Sequence, residues 1–298
     1  MKLDQFVSEK FWPYCKKLRR STVVGYESAY RCHIQPRFGS IELEQITVEA
    51  IEIWLASFEK TGAAKKSYAV LRCILRKAFK WQHCQFDPTV LQVEVPHRPR
   101  YIPDVLTDRE IYDVLRGFYG HEIEPVVICS LTLGLRRSES CGLTWGDIDL
   151  RSGRVRINKT RQYVDREIRI EDPKSDTSWR ELELCKFARD RLRELAKGHG
   201  KDEWLCPLSP DAVARKFKSH CKKFKLPYVS MKNLRHSYAT SMLRAGVEIA
   251  VLSKMLGHCD THTTERYYLV PDRKLFKAAQ SVWEANLMKQ AKIIDIAA

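Results

Sequence analysis

Five side chains that could act together on a phosphate lie between residues 230 and 268. They are two cations, a histidine and a pair of tyrosines, namely Lys232, Arg235, His258, Tyr267 and Tyr268. Lysine and arginine donate hydrogen bonds to phosphate oxygens, and a tyrosine that loses its phenolic proton is a nucleophile. The residue types in this stretch therefore indicate a site for a phosphate group.

Two helical segments that end at glycines are expected to position these side chains. The first covers residues 231–245, has apolar side chains on one face and is followed by Gly246. The second covers residues 247–256 and is followed by Gly257. Glycine is common just after a helix because it adopts the left-handed backbone conformation at little cost. His258 is then the first residue beyond the second helix.

The charge of the chain favours a polyanionic partner. The 298 residues carry a formal net charge of +15, with a pI near 9.4. Residues 1–100 hold 17 Lys and Arg against 10 Asp and Glu, so they carry +7, and the remaining residues carry +8. Because both parts of the chain are basic and nucleic acid is the commonest polyanion, we expect two domains that bind nucleic acid together.

Cysteine usage predicts neither disulfides nor a zinc site. The ten cysteines form no CxxC pair and mostly have apolar neighbours, as in a cytosolic protein with reduced thiols. His258, Cys259 and His262 resemble metal ligands, but there is no second ligand pair, so we expect no metal ion and no cofactor. The sequence has no apolar signal region and no run of about 18 apolar residues, which predicts a protein that is neither exported nor membrane-spanning.

One predicted helix of the N-terminal part has a basic face. A helix that starts after Thr47 is expected to end at Gly62, and a second helix is expected over residues 65–83. The basic residues of the second helix are Lys65, Lys66, Arg72, Arg76, Lys77 and Lys80. Such a face is often only a solvated surface. However, the sequence has no acid between Lys60 and Asp87, which favours contact with a DNA backbone.

A proline-containing segment separates two predicted domains. Residues 96–106 have little periodicity and are the predicted linker, and their two arginines, Arg98 and Arg100, are also candidate DNA contacts. Residues 1–95 are predicted to form a helical domain, and residues 107–298 a second domain.

The second domain is predicted to be mostly helical, with a few strands. Stretches rich in Val, Ile, Tyr and alternating charge are typical of strands and cover residues 154–163, 167–171 and 179–184. A tight turn that contains Lys174 lies between the last two stretches.

Five short motifs in this order resemble those of the tyrosine recombinases, the lambda-type phage integrase family. They are GLRRSE at 134–139, the turn with Lys174, LRH at 234–236, LGH at 256–258, and Tyr267. Residues 21–47 also resemble the helical core-DNA-binding domain of phage-type integrases. The resemblance covers nearly the whole chain. It implies a mainly α fold with a small antiparallel β-sheet (α+β), in which a core-DNA-binding domain and a catalytic domain form a C-shaped clamp on DNA.

The resemblance implies a catalytic role for six residues, Arg136, Lys174, Lys232, Arg235, His258 and Tyr267. Tyr267 would attack a DNA phosphodiester, form a 3′-phosphotyrosyl link and release a 5′-hydroxyl. Arg136 and Arg235 would hold the non-bridging oxygens, and Lys174 would protonate the leaving oxygen as general acid. His258 would hydrogen-bond the phosphate or the tyrosine. These cations would do the chemistry without a metal ion.

The chain departs from the family at Lys232, where the HxxR motif has histidine. A lysine can donate to a phosphate oxygen but accepts a proton poorly at neutral pH, so we expect electrostatic support from it. Glu139 is expected to orient Arg136, and His236 is given a supporting role.

Two of the catalytic assignments have rivals in the sequence. Tyr268 is an alternative nucleophile, although the spacing from His258 favours Tyr267. Lys159 is an alternative to Lys174, because it also lies in the strand region.

The resemblance predicts a site-specific recombinase that integrates or excises a mobile element in the cytoplasm of a prokaryote, at the nucleoid. Its expected partners are double-stranded DNA attachment sites, other copies of the chain in a homo-tetramer, and accessory DNA-bending or directionality factors. A helix after Pro271 would dock on a neighbouring copy. The alternatives are a type IB topoisomerase-like enzyme that relaxes DNA, and a catalytically silent DNA-binding protein.

Overall fold

The chain folds into two compact units. The computed structural model describes residues 1–85, 92–97, 102–172 and 179–258. The first unit extends to Tyr101 and includes the short piece Val164–Arg166, and the second contains the rest of the chain. The boundary between the two units, at Tyr101, falls within the predicted linker. The exact domain limits stay a prediction.

The regular secondary structure of the first unit is mainly helical. Its α-helices are α1 Leu3–Phe6, α2 Trp12–Cys15, α3 Arg20–Ala29, α4 Gln35–Phe38, α5 Val48–Ala56 and α6 Thr61–Lys80. Two π-helical turns, Val7–Phe11 and Tyr30–Ile34, and one 3-10 turn, Leu43–Gln45, connect some of them. The apolar side of α6 includes Leu71, Ile74 and Leu75, all of which are buried in the core of this unit. Burial of this apolar stripe supplies most of the stability of such a helix.

The predicted boundary between α5 and α6 was wrong. Helix α5 ends at Ala56 rather than at Gly62, and the Ser57 hydroxyl donates a 2.7 Å hydrogen bond to the Trp54 carbonyl at that end. Gly62 lies in the first turn of α6. The N–H groups of a first turn have no acceptor within the helix, so a glycine interrupts few helical hydrogen bonds there.

The second unit combines helices with short strands. Its elements are α7 Asp108–Gly117, α8 Glu124–Thr132, α9 Arg137–Ser140, the 3-10 turn Trp145–Asp147, β1 Arg154–Ile157, β2 Thr160–Val164, β3 Glu167–Glu171, β4 Arg180–Glu183, α10 Lys186–Leu195, α11 Pro210–Lys223, α12 Met231–Arg244 and α13 Ile249–Leu256. Helix α8 is buried along almost its whole length and contacts α7, α9, α10 and α12. It forms the centre from which the site-bearing elements α9 and α12 are positioned.

The strands pair two by two. Strand β1 is antiparallel to β4, with Ile157 opposite Arg180, and β2 pairs with β3. A continuous strand over residues 154–163 was predicted, but the structure divides it into β1 and β2. Asn158 and Lys159, between them, direct their side chains to Asp147. The predicted fold class, mainly α with a small antiparallel sheet, is confirmed.

Candidate active site

Arg136 occupies a short loop between α8 and α9 that depends on Gly134. Gly134 has φ +63°, in the left-handed region, and a Cβ at that position would lie 2.4 Å from the ring of Tyr238. Glycine is therefore required for the loop to approach α12. The Arg136 side chain remains 39% exposed and donates from Nη1 to Glu139 Oε1 at 2.6 Å. Its second terminal nitrogen donates to the Gly257 carbonyl at 3.2 Å.

Arg235 connects this loop to the end of α13. It lies on α12 and is buried, and it donates from Nη1 to the Gly134 carbonyl at 3.0 Å. Its Nη2 lies 2.7 Å from the Leu256 carbonyl and 2.8 Å from His258 Nε2. A guanidinium only donates hydrogen bonds, so His258 Nε2 accepts here. This arrangement brings Arg136, Arg235 and His258 together, as the resemblance to the tyrosine recombinases implied.

A buried carboxylate, Glu139, is shared by three arginines. Besides Arg136, it accepts from Arg180 Nη2 at 3.0 Å, and Arg235 Nη1 lies 3.8 Å from it. Burial on its own would raise the pKa of Glu139, but the charge and hydrogen bonds of Arg180, followed by the charges of Arg136 and Arg235, outweigh burial and lower it to about 2. Glu139 is consequently ionised at neutral pH and can hold the arginines in place.

A cavity of about 600 Å³ opens at this cluster. Five of the predicted site residues line it, namely Arg136, Lys232, Arg235, His236 and His258. Lys232 and His236 are one turn apart on α12, where Lys232 is exposed and His236 is buried. Burial, and then the positive charges of Lys232 and Arg235, lower the pKa of His236 to about 4. The cavity thus presents cationic side chains beside a neutral imidazole, which is suited to a phosphate.

Four of the predicted site residues lie outside the residues that the structure describes. They are Lys174, Tyr267, Arg98 and Arg100, and the rival nucleophile Tyr268 lies outside them as well. The role of each therefore stays a prediction.

The rival general acid, Lys159, is described and has a structural partner. Its Nζ forms an ion pair with Asp147, whose carboxylate also accepts from the Thr144 backbone N–H at 2.8 Å and closes the 3-10 turn. Lys159 is only 22% exposed and does not line the cavity. Lys159 is therefore held by Asp147 and lies outside the cavity lining.

Two family models match the sequence of the chain. A model of the phage integrase family matches residues 126–273, and a model of the N-terminal SAM-like domain of phage integrases matches residues 5–58. The chain belongs to the phage integrase family. The recombinase is thus an enzyme that cleaves and rejoins DNA at specific sites, and the predicted family and enzyme class are confirmed.

Curated relatives extend this similarity over most of the chain. The tyrosine recombinase XerD of Staphylococcus saprophyticus is 27% identical over 297 residues, which cover 92% of the recombinase and 97% of the relative. The tyrosine recombinase XerA of Pyrococcus horikoshii is 28% identical over 231 residues, which cover 76% and 77%, respectively.

Solved structures share the fold at lower identity. The Tn1549 transposon integrase, in complex with a circular intermediate DNA, matches with a TM-score of 0.80 and 17% identity, covering 95% of the recombinase and 99% of the integrase chain. A lambda integrase dimer bound to a COC′ core site matches with a TM-score of 0.66 and 17% identity, covering 91% and 93%.

The first unit of the recombinase carries the predicted basic face on α6. A groove of about 920 Å³ lies along it and includes Lys65, Arg72, Arg76, Lys77 and Lys80 in its lining, whereas Lys66 is exposed next to the groove. Lys77 Nζ lies 4.2 Å from the ring centroid of Tyr14, and its hydrogen bond lowers the pKa of that phenol. The other five cations are exposed. The Lys77 ammonium is thus held against the Tyr14 ring, whereas the other five cations extend into solvent.

Sequence reasoning missed Arg180 in the site of the recombinase. This arginine lies on β4 and is 7% exposed, with Glu139 as its partner across 41 positions of the sequence. In the sequence, Arg180 is one of several charges in a strand of alternating pattern, so no local signal distinguishes it.

Among the described residues there is no cluster of His, Cys, Asp and Glu that could hold a metal ion, and no described helix is long and apolar enough to cross a membrane.

Proposed function

We propose that the recombinase exchanges DNA strands at the attachment sites of a mobile element, with Tyr267 as the nucleophile. One observation carries the proposal: Arg136, Arg235 and His258 meet at one cavity. Arg235 hydrogen-bonds His258, Arg136 binds the adjacent Gly257 carbonyl, and both arginines lie against Glu139. A phosphodiester at this cavity would meet two guanidinium groups, each able to bind two oxygens in its fork geometry.

The proposed reaction conserves the energy of the phosphodiester bond. The Tyr267 hydroxyl loses its proton to His258 or to solvent, and its oxygen forms a bond to phosphorus while the bond to the 5′-oxygen breaks. Lys174 gives a proton to that leaving oxygen. Arg136 and Arg235 stabilise the charge on the non-bridging oxygens, which increases in the transition state. The product is a 3′-phosphotyrosyl link, and attack on it by a 5′-hydroxyl of the second DNA reverses the chemistry and joins the strands.

Lys232 supports the same phosphate in place of a histidine. It is exposed at the cavity on the same side of α12 as the neutral His236. Its ammonium donates three hydrogen bonds and accepts none, so it binds a phosphate oxygen and does not serve as the base. His258 hydrogen-bonds either the phosphate or Tyr267, since an imidazole has two ring nitrogens and only Nε2 faces Arg235.

DNA outside the cavity would be held mainly through its backbone. The basic face of α6 and the arginines of the linker, Arg98 and Arg100, are the proposed contacts, and release of counterions supplies affinity without sequence preference. Solved neighbours support a DNA duplex as partner: one is a lambda integrase tetramer bound to a Holliday junction. We accordingly propose a homo-tetramer on synapsed DNA in the prokaryotic cytoplasm, with accessory bending or directionality factors as further partners.

A covalent-trap assay tests the proposed nucleophile. Nicked suicide duplexes carrying the junction sequence of the element are incubated with wild-type protein, Tyr267→Phe and the matched control Tyr268→Phe, and run on a denaturing gel. We expect an adduct from the wild type and from Tyr268→Phe and none from Tyr267→Phe, because phenylalanine has no oxygen to attack phosphorus.

The other outcomes separate the alternatives. An adduct that disappears only in Tyr268→Phe would assign the nucleophile to the second tyrosine. DNA binding without any adduct would favour the catalytically silent protein. Adducts and supercoil relaxation without recombinant product would favour the topoisomerase-like activity.

A further inference from the structure

Three arginines from three different elements bind three successive carbonyls at the end of α13. Arg180 Nε donates to the Met255 carbonyl at 2.7 Å, and Arg235 Nη2 donates to that of Leu256 at 2.7 Å. Arg136 Nη2 donates to the carbonyl of Gly257 at 3.2 Å. The last carbonyls of a helix have no partner within it and lie at the negative end of its dipole, so arginines are well suited to bind them.

The end of α13 controls where His258 lies. Helix α13 stops at Leu256, and Gly257 follows in the left-handed conformation with φ 66° and ψ 48°. His258 is the next residue, and its backbone N–H donates to the Ser253 carbonyl of the last turn at 3.1 Å. A displacement of this helix end therefore moves the histidine directly.

Arg180 differs from the other two arginines because it does not line the cavity. Arg136 and Arg235 are both part of the cavity wall, whereas Arg180 lies behind it on β4 with 7% of its side chain exposed. Its two terminal nitrogens reach both oxygens of Glu139, at 3.4 Å and 3.0 Å. Arg180 therefore does not contact a phosphate bound in the cavity, and it acts on that phosphate through the residues that it holds and through its charge.

The charge of Arg180 also compensates that of Glu139. A buried carboxylate beside the cavity opposes a phosphate, since both are negative and a low-dielectric surrounding strengthens their repulsion. Arg180 offsets this charge from the side away from the cavity, so that Arg136 and Arg235 do not have to neutralise Glu139 alone. Without Arg180, Arg136 would be drawn more strongly to Glu139, 2.6 Å away, and away from a substrate.

We propose that Arg180 is a positioning residue for DNA strand cleavage, which holds Glu139 and the end of α13 so that Arg136, Arg235 and His258 face one phosphate. This inference rests on the proposed function, because it assigns the held residues to the phosphate of the cleaved strand. It adds strand β4 to the elements that position the residues of the cavity.

The test separates the rate of cleavage from the affinity for DNA. Wild type, Arg180→Lys and Arg180→Gln are compared on the nicked suicide duplex, with adduct formation measured at saturating protein and the dissociation constant measured by fluorescence anisotropy. For Arg180→Gln we expect the rate to fall by about 100-fold, the order of loss from a displaced catalytic group, with the dissociation constant changed less than about threefold. For Arg180→Lys, which keeps the charge but loses the fork, we expect about a tenfold loss.

Arg156→Gln is the matched control, because Arg156 is an exposed arginine on the neighbouring strand β1. We expect it to cleave at the wild-type rate. A wild-type rate in a folded Arg180→Gln variant would overturn the inference, and so would a loss confined to DNA affinity. If Arg180→Gln does not fold, Arg180→Lys decides: a full cleavage rate there would overturn the inference too. Absence of any adduct from the wild type would instead refute the proposed function itself.

Discussion

Replacement of Glu139 by glutamine should destabilise the protein by an amount that depends on pH. The pKa of Glu139 falls from an ordinary value of 4.5 to about 2 in the folded protein. Each unit of pKa difference corresponds to about 1.4 kcal/mol, so the ionised carboxylate contributes roughly 3 kcal/mol to the free energy of unfolding at pH 7. Loss of one partner from a buried ion pair typically costs about 3–5 kcal/mol, which is of the same order.

The sign of the pH dependence follows from the depressed pKa of Glu139. The contribution of ionised Glu139 to the free energy of unfolding is complete above pH 4.5, the pKa of the carboxyl in the unfolded chain. It decreases as the pH falls from 4.5 toward 2, because the carboxyl of the unfolded chain takes up a proton before that of the folded protein. The difference between wild type and Glu139→Gln should accordingly be about 1 kcal/mol smaller at pH 4 than at pH 7.

Urea denaturation of wild type and Glu139→Gln at a series of pH values between 7 and 4 would measure this difference. The matched control is Glu181→Gln, since Glu181 is an exposed carboxylate on β4 whose removal should leave the free energy of unfolding within about 0.5 kcal/mol of wild type. Equal stability of Glu139→Gln and wild type at pH 7, or a difference that does not decrease at low pH, would refute the argument from the shared carboxylate.

Two further predictions concern the general acid and the basic helix. Lys174→Ala should slow adduct formation on the nicked suicide duplex by about 100-fold or more. Lys159→Ala, which loses the contacts with Asp147 and Asn158, should cleave at close to the wild-type rate. Comparison of the two rates checks the assignment, and a larger loss in Lys159→Ala would reverse it. Arg76→Gln on α6 should weaken DNA binding and reduce the slope of log affinity against log salt by about 0.9, as measured by anisotropy at several salt concentrations. An unchanged slope would make the basic face of α6 a solvated surface.

Local patterns in the sequence were sufficient for many of the helices. The Thr107 capping box with Glu110 is present, with hydrogen bonds of 3.3 Å and 2.7 Å in the two directions. Gly246 and Gly257, which were predicted to end α12 and α13, both have positive φ. Signals of this kind act between residues no more than about four positions apart, so both interacting residues can be recognised from a short stretch of sequence.

The limits of helices and strands were predicted less well where one stretch of sequence fits two different elements. The residues around Gly62 fit the end of one helix as well as the start of the next, and in the structure α5 already ends at Ala56, where the Ser57 hydroxyl binds the Trp54 carbonyl. The stretch 154–163 has the composition of one strand, but the bonds of Asn158 and Lys159 to Asp147 interrupt it. In both places a side-chain contact outweighed the propensity of the segment.

By itself, the sequence determined the family, the helical character of both units and most of the cationic residues at the cavity, because short motifs and charges can be read directly from residue order. Only the tertiary structure decided how these cations are held. The contact of Arg180 with Glu139 spans 41 positions, and that of Arg136 with the Gly257 carbonyl spans 121. Spacing along the chain contains no information on such partners, since they meet only after β4, α12 and α13 pack in the folded second unit.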